Sequence, residues 1–252
     1  QIPRTGPFVL DALIGFQHTI GAPPSMMSGG DLYVFDSWSN GPTTATQSIT
    51  ASAVNETFTA SYINTGPTPR VSAGLQALYT FDAGNGSTVF DVSGVGTAID
   101  LSIADPANVS WGAGSLSVNA STLIASTGAA TKLNTAIPAN DAITLEAWLT
   151  PANTTQTGPA RIATLSPDPS NANFTLGQGV FGLPGTLYDV RLRTTATSNA
   201  GHNPSLSSPP GTLSATLTHV VYTRDATGSA AIYINDVLVA SGAIGGDLSN
   251  WA

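Results

Sequence analysis

Residues 219–241 read HVVYTRDATGSAAIYINDVLVAS, and this stretch decides the fold. Short runs rich in Val, Ile and Tyr are separated by Asp-Ala-Thr-Gly at residues 225–228 and by Asn235-Asp236. Asp, Asn and Gly are turn residues, and Asn and Asp tolerate the positive φ that a two-residue hairpin turn requires. The stretch therefore predicts two consecutive β-hairpins.

Further blocks of this kind surround it. They are GLQALYTFDAGNGSTVFDVSGVG (74–96), AITLEAWLTP (142–151), NFTLGQ (173–178), YDVRLRTT (188–195) and GDLSNW (246–251). In this order the blocks resemble the bacterial laminin-G-like jelly roll, a member of the concanavalin A-like lectin and pentraxin superfamily. The resemblance covers residues 74–252 and implies a module that binds or builds rather than catalyses. One such fold hosts many activities, so function has to be argued from the site.

The first 66 residues form a separate set of short runs. ETFTASY (56–62) alternates as a half-buried strand does, and FVLDALIG (8–15), QHTI (17–20), DLYVFDSWS (31–39) and TQSITAS (46–52) are further candidate strands. Residues 35–62 resemble a small Ig-like spacer of bacterial secreted proteins. No segment has a convincing 3.6-residue apolar period. The predicted fold is all-β: a partial Ig-like sandwich (1–66), a linker (67–73) and a jelly-roll sandwich (74–252).

Both ends of the chain are expected to be incomplete. The Ig-like resemblance implies a further strand before Gln1, and the jelly-roll resemblance implies closing strands after residue 252, beside an opening strand at residues 77–82. An opening strand without a partner would expose unpaired backbone groups. A neighbouring chain could supply the missing strand. Residues 7–15 (PFVLDALIG) are a candidate donor, or else a strand of the Ig-like module itself.

The amino-acid composition excludes several classes of binding partner. The net charge is −8, only 9% of residues are charged, and seven are Lys or Arg. So few cations cannot form the basic surface that a phosphate backbone or an anionic membrane requires. There is no cysteine, which excludes disulfides and thiolate chemistry, and no apolar run approaches the ~18 residues of a membrane span. Composition and resemblance together predict a secreted or cell-surface protein whose partners are glycans or other extracellular proteins.

One strand presents a candidate glycan-binding surface. In ITLEAWLT, Glu146 and Trp148 share a face, opposite Ile143, Leu145 and Ala147. Sugars are bound by an aromatic platform with polar groups beside it. Three residues of YDVRLRTT could line the same surface: Asp189, Arg191 and Arg193. In the alternative interpretation, loops cover this face, so that Trp148 belongs to the core and Glu146 pairs with an arginine.

Catalysis is not expected. Some relatives are glycoside hydrolases, which need two carboxyl groups flanking the scissile bond. Glu146 is the only glutamate after residue 74, and no acidic residue lies two or four positions from it. No Gly-x-Ser-x-Gly motif occurs, and His219 is predicted to be a strand-end histidine with a satisfied hydrogen bond.

The sequence also contains candidate sites for calcium binding and for N-glycosylation. Calcium prefers loop oxygens, and the candidate donors are Asp82, Asn85, Asp91, Ser93 and Asp247. Six Asn-x-Ser/Thr sequons are candidate glycosylation sites. They are at Asn55, Asn85, Asn108, Asn119, Asn153 and Asn173.

The sequence thus predicts a non-catalytic adhesion or glycan-recognition module. The alternatives are a structural subunit completed by a neighbouring chain and a glycoside hydrolase.

Overall fold

The computed structural model describes residues 9–28, 31–67, 71–156, 158–168, 170–182 and 185–251. It divides into two compact units, Gln1–Ala73 and Gly74–Ala252. Among the described residues, no helix has the length and apolar character needed to cross a membrane.

The first unit contains five described strands in two antiparallel sheets. They are β1 (Gln17–Gly21), β2 (Ser25–Ser28), β3 (Asp31–Trp38), β4 (Thr46–Thr50) and β5 (Ala60–Pro67). β1 pairs with β4, and the second sheet has the order β2-β3-β5. Trp38 is buried, and its indole N–H donates to the Thr44 carbonyl at 3.0 Å. The Ig-like identity of this unit stays a prediction.

Two strand predictions in this unit need correction. Residues 9–15 lie outside every strand, and residues 7 and 8 lie outside the described part of the chain. The apolar side chains of Val9, Leu13 and Ile14 are exposed, because no sheet receives them. The strand expected at residues 56–62 begins only at Ala60 and continues to Pro67, the first residue of the expected linker. Residues 68–70 of that linker are outside the described residues.

The second unit is a sandwich of two four-stranded antiparallel sheets. Sheet E, with strand order β11-β16-β17-β18, comprises β11 (Ile143–Leu149), β16 (Thr218–Arg224), β17 (Ser229–Ile234) and β18 (Val237–Ala243). Sheet F, with strand order β12-β13-β14-β15, comprises β12 (Ala160–Leu165), β13 (Phe174–Gln178), β14 (Tyr188–Leu192) and β15 (Leu206–Ser207). Inward side chains of both sheets form one apolar core, in which Tyr188, Tyr222 and Ile232 are fully buried. Burial of an apolar side chain such as Ile232 stabilises the fold by about 1.5–3 kcal/mol.

Smaller elements complete this unit. A three-stranded sheet joins β6 (Thr88–Val89), β7 (Leu101–Ile103) and β10 (Ile124–Ser126), and a hairpin joins β8 (Val109–Gly112) and β9 (Ser115–Val118). A 3₁₀ turn at Pro106–Asn108 precedes β8.

One α-helix was not expected. α1 (Thr131–Asn140) ends at Asp141, whose φ of 47° places it in the left-handed region. Its apolar face consists of Leu133 and Ile137, which lie four residues apart and pack on the core. Two apolar residues in one short helix with an internal proline are too few for a periodic signal.

The two predicted hairpins are confirmed. β16 and β17 are joined by residues 225–228, and β17 and β18 by Asn235-Asp236. Asn235 and Asp236 have φ values of 49° and 67°, so both central residues adopt the left-handed conformation of a type I′ turn.

The predicted opening strand at residues 77–82 forms no ladder. Its backbone makes contact through Leu78, whose carbonyl accepts from the Val92 N–H at 2.8 Å and whose N–H donates to Asp91 at 3.1 Å. Gln76, just before this segment, lines a groove of about 740 Å³, whose other walls include residues 97–100 and the first half of α1.

Candidate functional site

Trp148 is exposed on the outer face of sheet E. In β11, Ile143, Leu145 and Ala147 point toward the core, whereas Glu146 and Trp148 point away from it, as the alternation predicts. Trp148 is 61% exposed. The alternative interpretation, in which loops bury this tryptophan, is therefore wrong.

His219 fixes the orientation of that tryptophan. The register of β11 and β16 places Trp148 directly opposite His219. Their rings stack with centroids 4.3 Å apart and planes inclined by 12°. One face of the indole is therefore covered by the imidazole, and the exposure of Trp148 comes from the rest of the ring.

Two carboxylates approach the same imidazole. His219 Nε2 lies 3.0 Å from Glu146 Oε1, within hydrogen-bond distance, and Nδ1 lies 3.7 Å from Asp236 Oδ1. The turn that carries Asp236 is anchored to the start of β16, because the His219 N–H donates to Asn235 Oδ1 at 3.0 Å. The prediction that His219 is a strand-end histidine with a satisfied hydrogen bond is confirmed. We call Glu146, Trp148, His219 and Asp236 the tryptophan site.

The sequence patterns did not identify His219 and Asp236 as members of this site. The signal that could have found them is the pairing of the EAW segment with the HVVY strand, which depends on register. Once Trp148 is placed opposite His219, the pairing of β16 with β17 places the turn at residues 235–236 at the same end of the sheet.

Asp189, Arg191 and Arg193 do not lie on this surface. β14 belongs to sheet F, so these residues are separated from Trp148 by the core. Asp189 is fully buried and accepts hydrogen bonds from Ser205 Oγ at 2.8 Å and Ser207 Oγ at 2.7 Å. It also accepts from Arg191 Nε at 3.0 Å. Instead of lining the surface around Trp148, Asp189 and Arg191 belong to a polar cluster that joins β14 to β15.

Asp91 has a structural role instead of the predicted calcium-binding one. Its side chain is fully buried and accepts hydrogen bonds from the backbone N–H groups of Leu78, Ser93 and Ile99 at 3.0–3.1 Å and from Lys132 Nζ at 2.5 Å. Desolvation raises the pKa of Asp91, but the Lys132 ammonium and the N–H donors outweigh it, so the pKa lies well below its ordinary value. Because these protein donors occupy the carboxylate, it is not available to a calcium ion.

The other calcium candidates are not gathered into a site. Asp82 and Asn85 are exposed, and Ser93 Oγ contacts Lys132 Nζ at 3.3 Å. Asp247 accepts from the Ser249 N–H at 3.0 Å. Among the described residues, no three His, Cys, Asp or Glu side chains are placed to hold a metal ion. Calcium binding by Asp82, Asn85 and Asp247 stays a prediction.

The sequons differ in accessibility. Asn173 is fully buried, and its amide donates to Asn134 Oδ1 at 3.0 Å, so an attached glycan cannot be accommodated there. That site is a wrong prediction. Asn55, Asn85, Asn119 and Asn153 are exposed and Asn108 is half-buried, so these remain candidate sites.

Comparison with known proteins identifies the fold of the second unit. The sequence profile of the Concanavalin A-like lectin/glucanases superfamily, in its laminin G branch, matches residues 125–252, which is half of the chain and includes every residue of the tryptophan site. No curated protein and no solved structure matches the chain.

Proposed function

The chain belongs to the concanavalin A-like lectin/glucanases superfamily, and from this membership we propose that it is a non-catalytic glycan-recognition module that acts in adhesion outside the cell. The observation that supports this proposal most strongly is the exposed Trp148 ring, whose orientation is fixed by stacking on the His219 imidazole. An aromatic face binds the apolar C–H surface of a pyranose ring, and polar groups beside it bind the hydroxyls. Glu146 and Asp236 are the neighbouring acceptors.

The geometry of the carboxylates supports binding rather than hydrolysis. A glycosidase places the scissile bond between its two carboxyl groups. In the tryptophan site, the imidazole of His219 lies between Glu146 and Asp236 and contacts both. A glycosidic bond would have to displace the ring that supports Trp148.

The composition supports an extracellular setting. Only 9% of its residues are charged, and the chain is rich in Ser and Thr. Such a surface offers hydroxyl and backbone groups rather than a cationic patch, which suits glycans or other extracellular proteins as partners and does not suit nucleic acid.

We expect Trp148→Ala to weaken glycan binding by about five- to 150-fold, because losing a stacked aromatic contact costs about 1–3 kcal/mol, by analogy with base stacking on aromatic side chains. Trp148→Phe should retain part of the affinity. The measurement is a glycan array followed by titration calorimetry of the best ligand with the full chain.

The matched control is Phe181→Ala, which removes an aromatic ring that is 87% exposed but lies in the loop after β13. Its affinity should stay within twofold of the unmodified chain. Equal losses in both variants, or unchanged binding in Trp148→Ala, would show that the sugar binds elsewhere.

A structural role is the second candidate, and one observation favours it. Residues 77–82 form no ladder and directly follow Gln76, which lines the 740 Å³ groove, while Val9, Leu13 and Ile14 expose apolar side chains outside any strand. Residues 9–15 of a second copy could fill the groove by adding a strand to the unpaired segment.

In that case the chain should form ordered oligomers or filaments in negative-stain micrographs and scatter light as a species well above 25.5 kDa. Leu13→Lys should dissociate them, because it places a charge in the donated apolar segment. Leu123→Lys is the matched control, since Leu123 is similarly exposed but lies in the second unit. A monomeric unmodified chain would exclude this role.

A further inference from the structure

The chain contains two Asn-Gly pairs, Asn40-Gly41 in the first unit and Asn85-Gly86 in the second. Asparagine is a chemically labile residue, and it loses its side-chain amide most readily when glycine follows it. The backbone nitrogen of the following residue attacks the asparagine Cγ, and a glycine places no Cβ in the way of that attack. Whether such a pair reacts in the folded chain depends on how firmly its two reacting groups are held.

The first pair is held by three hydrogen bonds. Asn40 and Gln47 exchange two of them between their side-chain amides: Asn40 Nδ2 donates to Gln47 Oε1 at 2.9 Å, and Gln47 Nε2 donates to Asn40 Oδ1 at 3.1 Å. The Gly41 N–H donates to the Trp38 carbonyl at 2.9 Å. To bring its Cγ onto the Gly41 nitrogen, Asn40 must leave Gln47 and the turn must open. Breaking three hydrogen bonds of ordinary strength slows the reaction by at least about tenfold.

The second pair has no such restraint. Asn85 is exposed in the loop before β6, and among the described residues neither its side chain nor the Gly86 N–H has a hydrogen-bond partner. A Cβ built at Gly86 would meet no atom within 4 Å, so the space beside the attacking nitrogen is open. The φ of Gly86 is 90°, a conformation that favours glycine at this position.

We propose that Asn85 is a site of spontaneous deamidation in the folded chain, whereas Asn40 is protected. The Gly86 nitrogen loses its proton and forms a bond to the Asn85 Cγ, and the side-chain amide leaves as ammonia. Water then opens the cyclic imide at either of its two carbonyl groups, which gives aspartate or isoaspartate. The net reaction consumes one water, releases ammonia and changes no oxidation state.

The modification changes this part of the molecule in two ways. It adds a negative charge to a chain of net charge −8 and removes the asparagine of the Asn85 sequon, so glycosylation and deamidation of Asn85 exclude each other. Isoaspartate also lengthens the main chain by one methylene immediately before Gly86, whose carbonyl accepts from the Trp111 indole N–H at 3.0 Å. This contact should be weakened in the isoaspartate form.

The test is a time course of the full chain, produced in a host without N-glycosylation, at mildly alkaline pH. Samples are digested with pepsin at acid pH, where the reaction is slow. The peptides are identified by mass, and electron-transfer fragmentation separates aspartate from isoaspartate. In the folded chain the Asn85 peptide should convert at least about tenfold faster than the Asn40 peptide. In the chain unfolded by guanidinium chloride the two peptides should convert at similar rates, because the restraint on Asn40 is then gone.

Two variants locate the cause of the difference. Gln47→Ala should accelerate conversion at Asn40 and leave the rate at Asn85 unchanged, because it removes the partner of the Asn40 amide only. Asn85→Gln should suppress conversion at this position, since the longer side chain closes the ring more slowly.

The comparison within the unmodified chain does not depend on either variant folding. Equal rates at Asn40 and Asn85 in the folded chain would overturn the proposal. So would an Asn85 peptide that stays unconverted over the time in which the unfolded chain reacts. If Asn40 stays unreactive in folded Gln47→Ala, its pairing with Gln47 is not what protects it.

Discussion

Replacing Arg224 with Met should lower the free energy of unfolding of the second unit by about 3–5 kcal/mol, the usual cost of removing one partner from a buried ion pair. The side chain is fully buried at the end of β16. Its Nε donates to the Ile244 carbonyl at 3.0 Å and its Nη1 to Asp141 Oδ1 at 3.1 Å, while Nη2 donates to the Gly246 carbonyl. The guanidinium thus joins the end of α1 to the segment after β18.

Arg224→Lys should also destabilise, because a single ammonium cannot reproduce the planar fork that reaches acceptors on Asp141, Ile244 and Gly246. The measurement is urea unfolding, with hydrogen exchange of peptides from sheet E reporting the transition of this unit. Arg161→Met is the matched control: Arg161 is exposed on β12, and its loss should cost less than about 1 kcal/mol. A loss of less than 1 kcal/mol in Arg224→Met would show that the junction is held by packing alone.

The hairpins and the inward–outward parity of β11 could be predicted because both are local. The left-handed turn at Asn235-Asp236 is set by two adjacent residues. The placement of Glu146 and Trp148 on the face opposite Leu145 and Ala147 follows from a period of two, whereas the sequence left open whether loops cover that face. Such properties are readable without knowing which strands are neighbours.

The remainder of the site depends on strand order. The same period of two predicted correctly that Asp189 and Arg191 share a face of β14, but it could not tell that β14 belongs to the other sheet or that Ser205 and Ser207 bury the carboxylate. The stack of His219 on Trp148 required the register of strands that are about 70 residues apart. Long-range pairing of this kind is set by tertiary packing, and no single segment encodes it.

The long-range partner of Asp91, which lies in a loop, could not be predicted from the sequence either. Its neighbours Asp82 and Asn85 suggested oxygen ligands for calcium, whereas its actual partner, Lys132, lies on the helix that the periodicity did not predict. A lysine that is the only one in the chain gives no local sign that it is paired.

Replacing Asp91 with Asn should destabilise the second unit by about 3–5 kcal/mol at pH 7, because it leaves the nearly buried Lys132 ammonium facing an amide. For a unit of about 180 residues this corresponds to a fall of roughly 10 °C in the midpoint of thermal unfolding. Asp91→Asn combined with Lys132→Met should recover part of the loss, since no unpaired charge is then buried. Asp105→Asn, at an exposed position without a capping hydrogen bond, should change stability by less than about 0.5 kcal/mol.

The same pair makes stability depend on acid pH in a defined direction. Because the pKa of Asp91 is lower in the folded chain than in the unfolded chain, its contribution is fully present above the unfolded pKa of about 3.9. It should be lost as pH falls from there toward the folded pKa, since the unfolded state then binds the proton first. Thermal unfolding measured from pH 7 to pH 2 should show this decline in the unmodified chain and a flatter profile in Asp91→Asn. Parallel profiles for the two chains would mean that other carboxylates cause the acid sensitivity and that the Asp91–Lys132 pair contributes little, whatever its geometry.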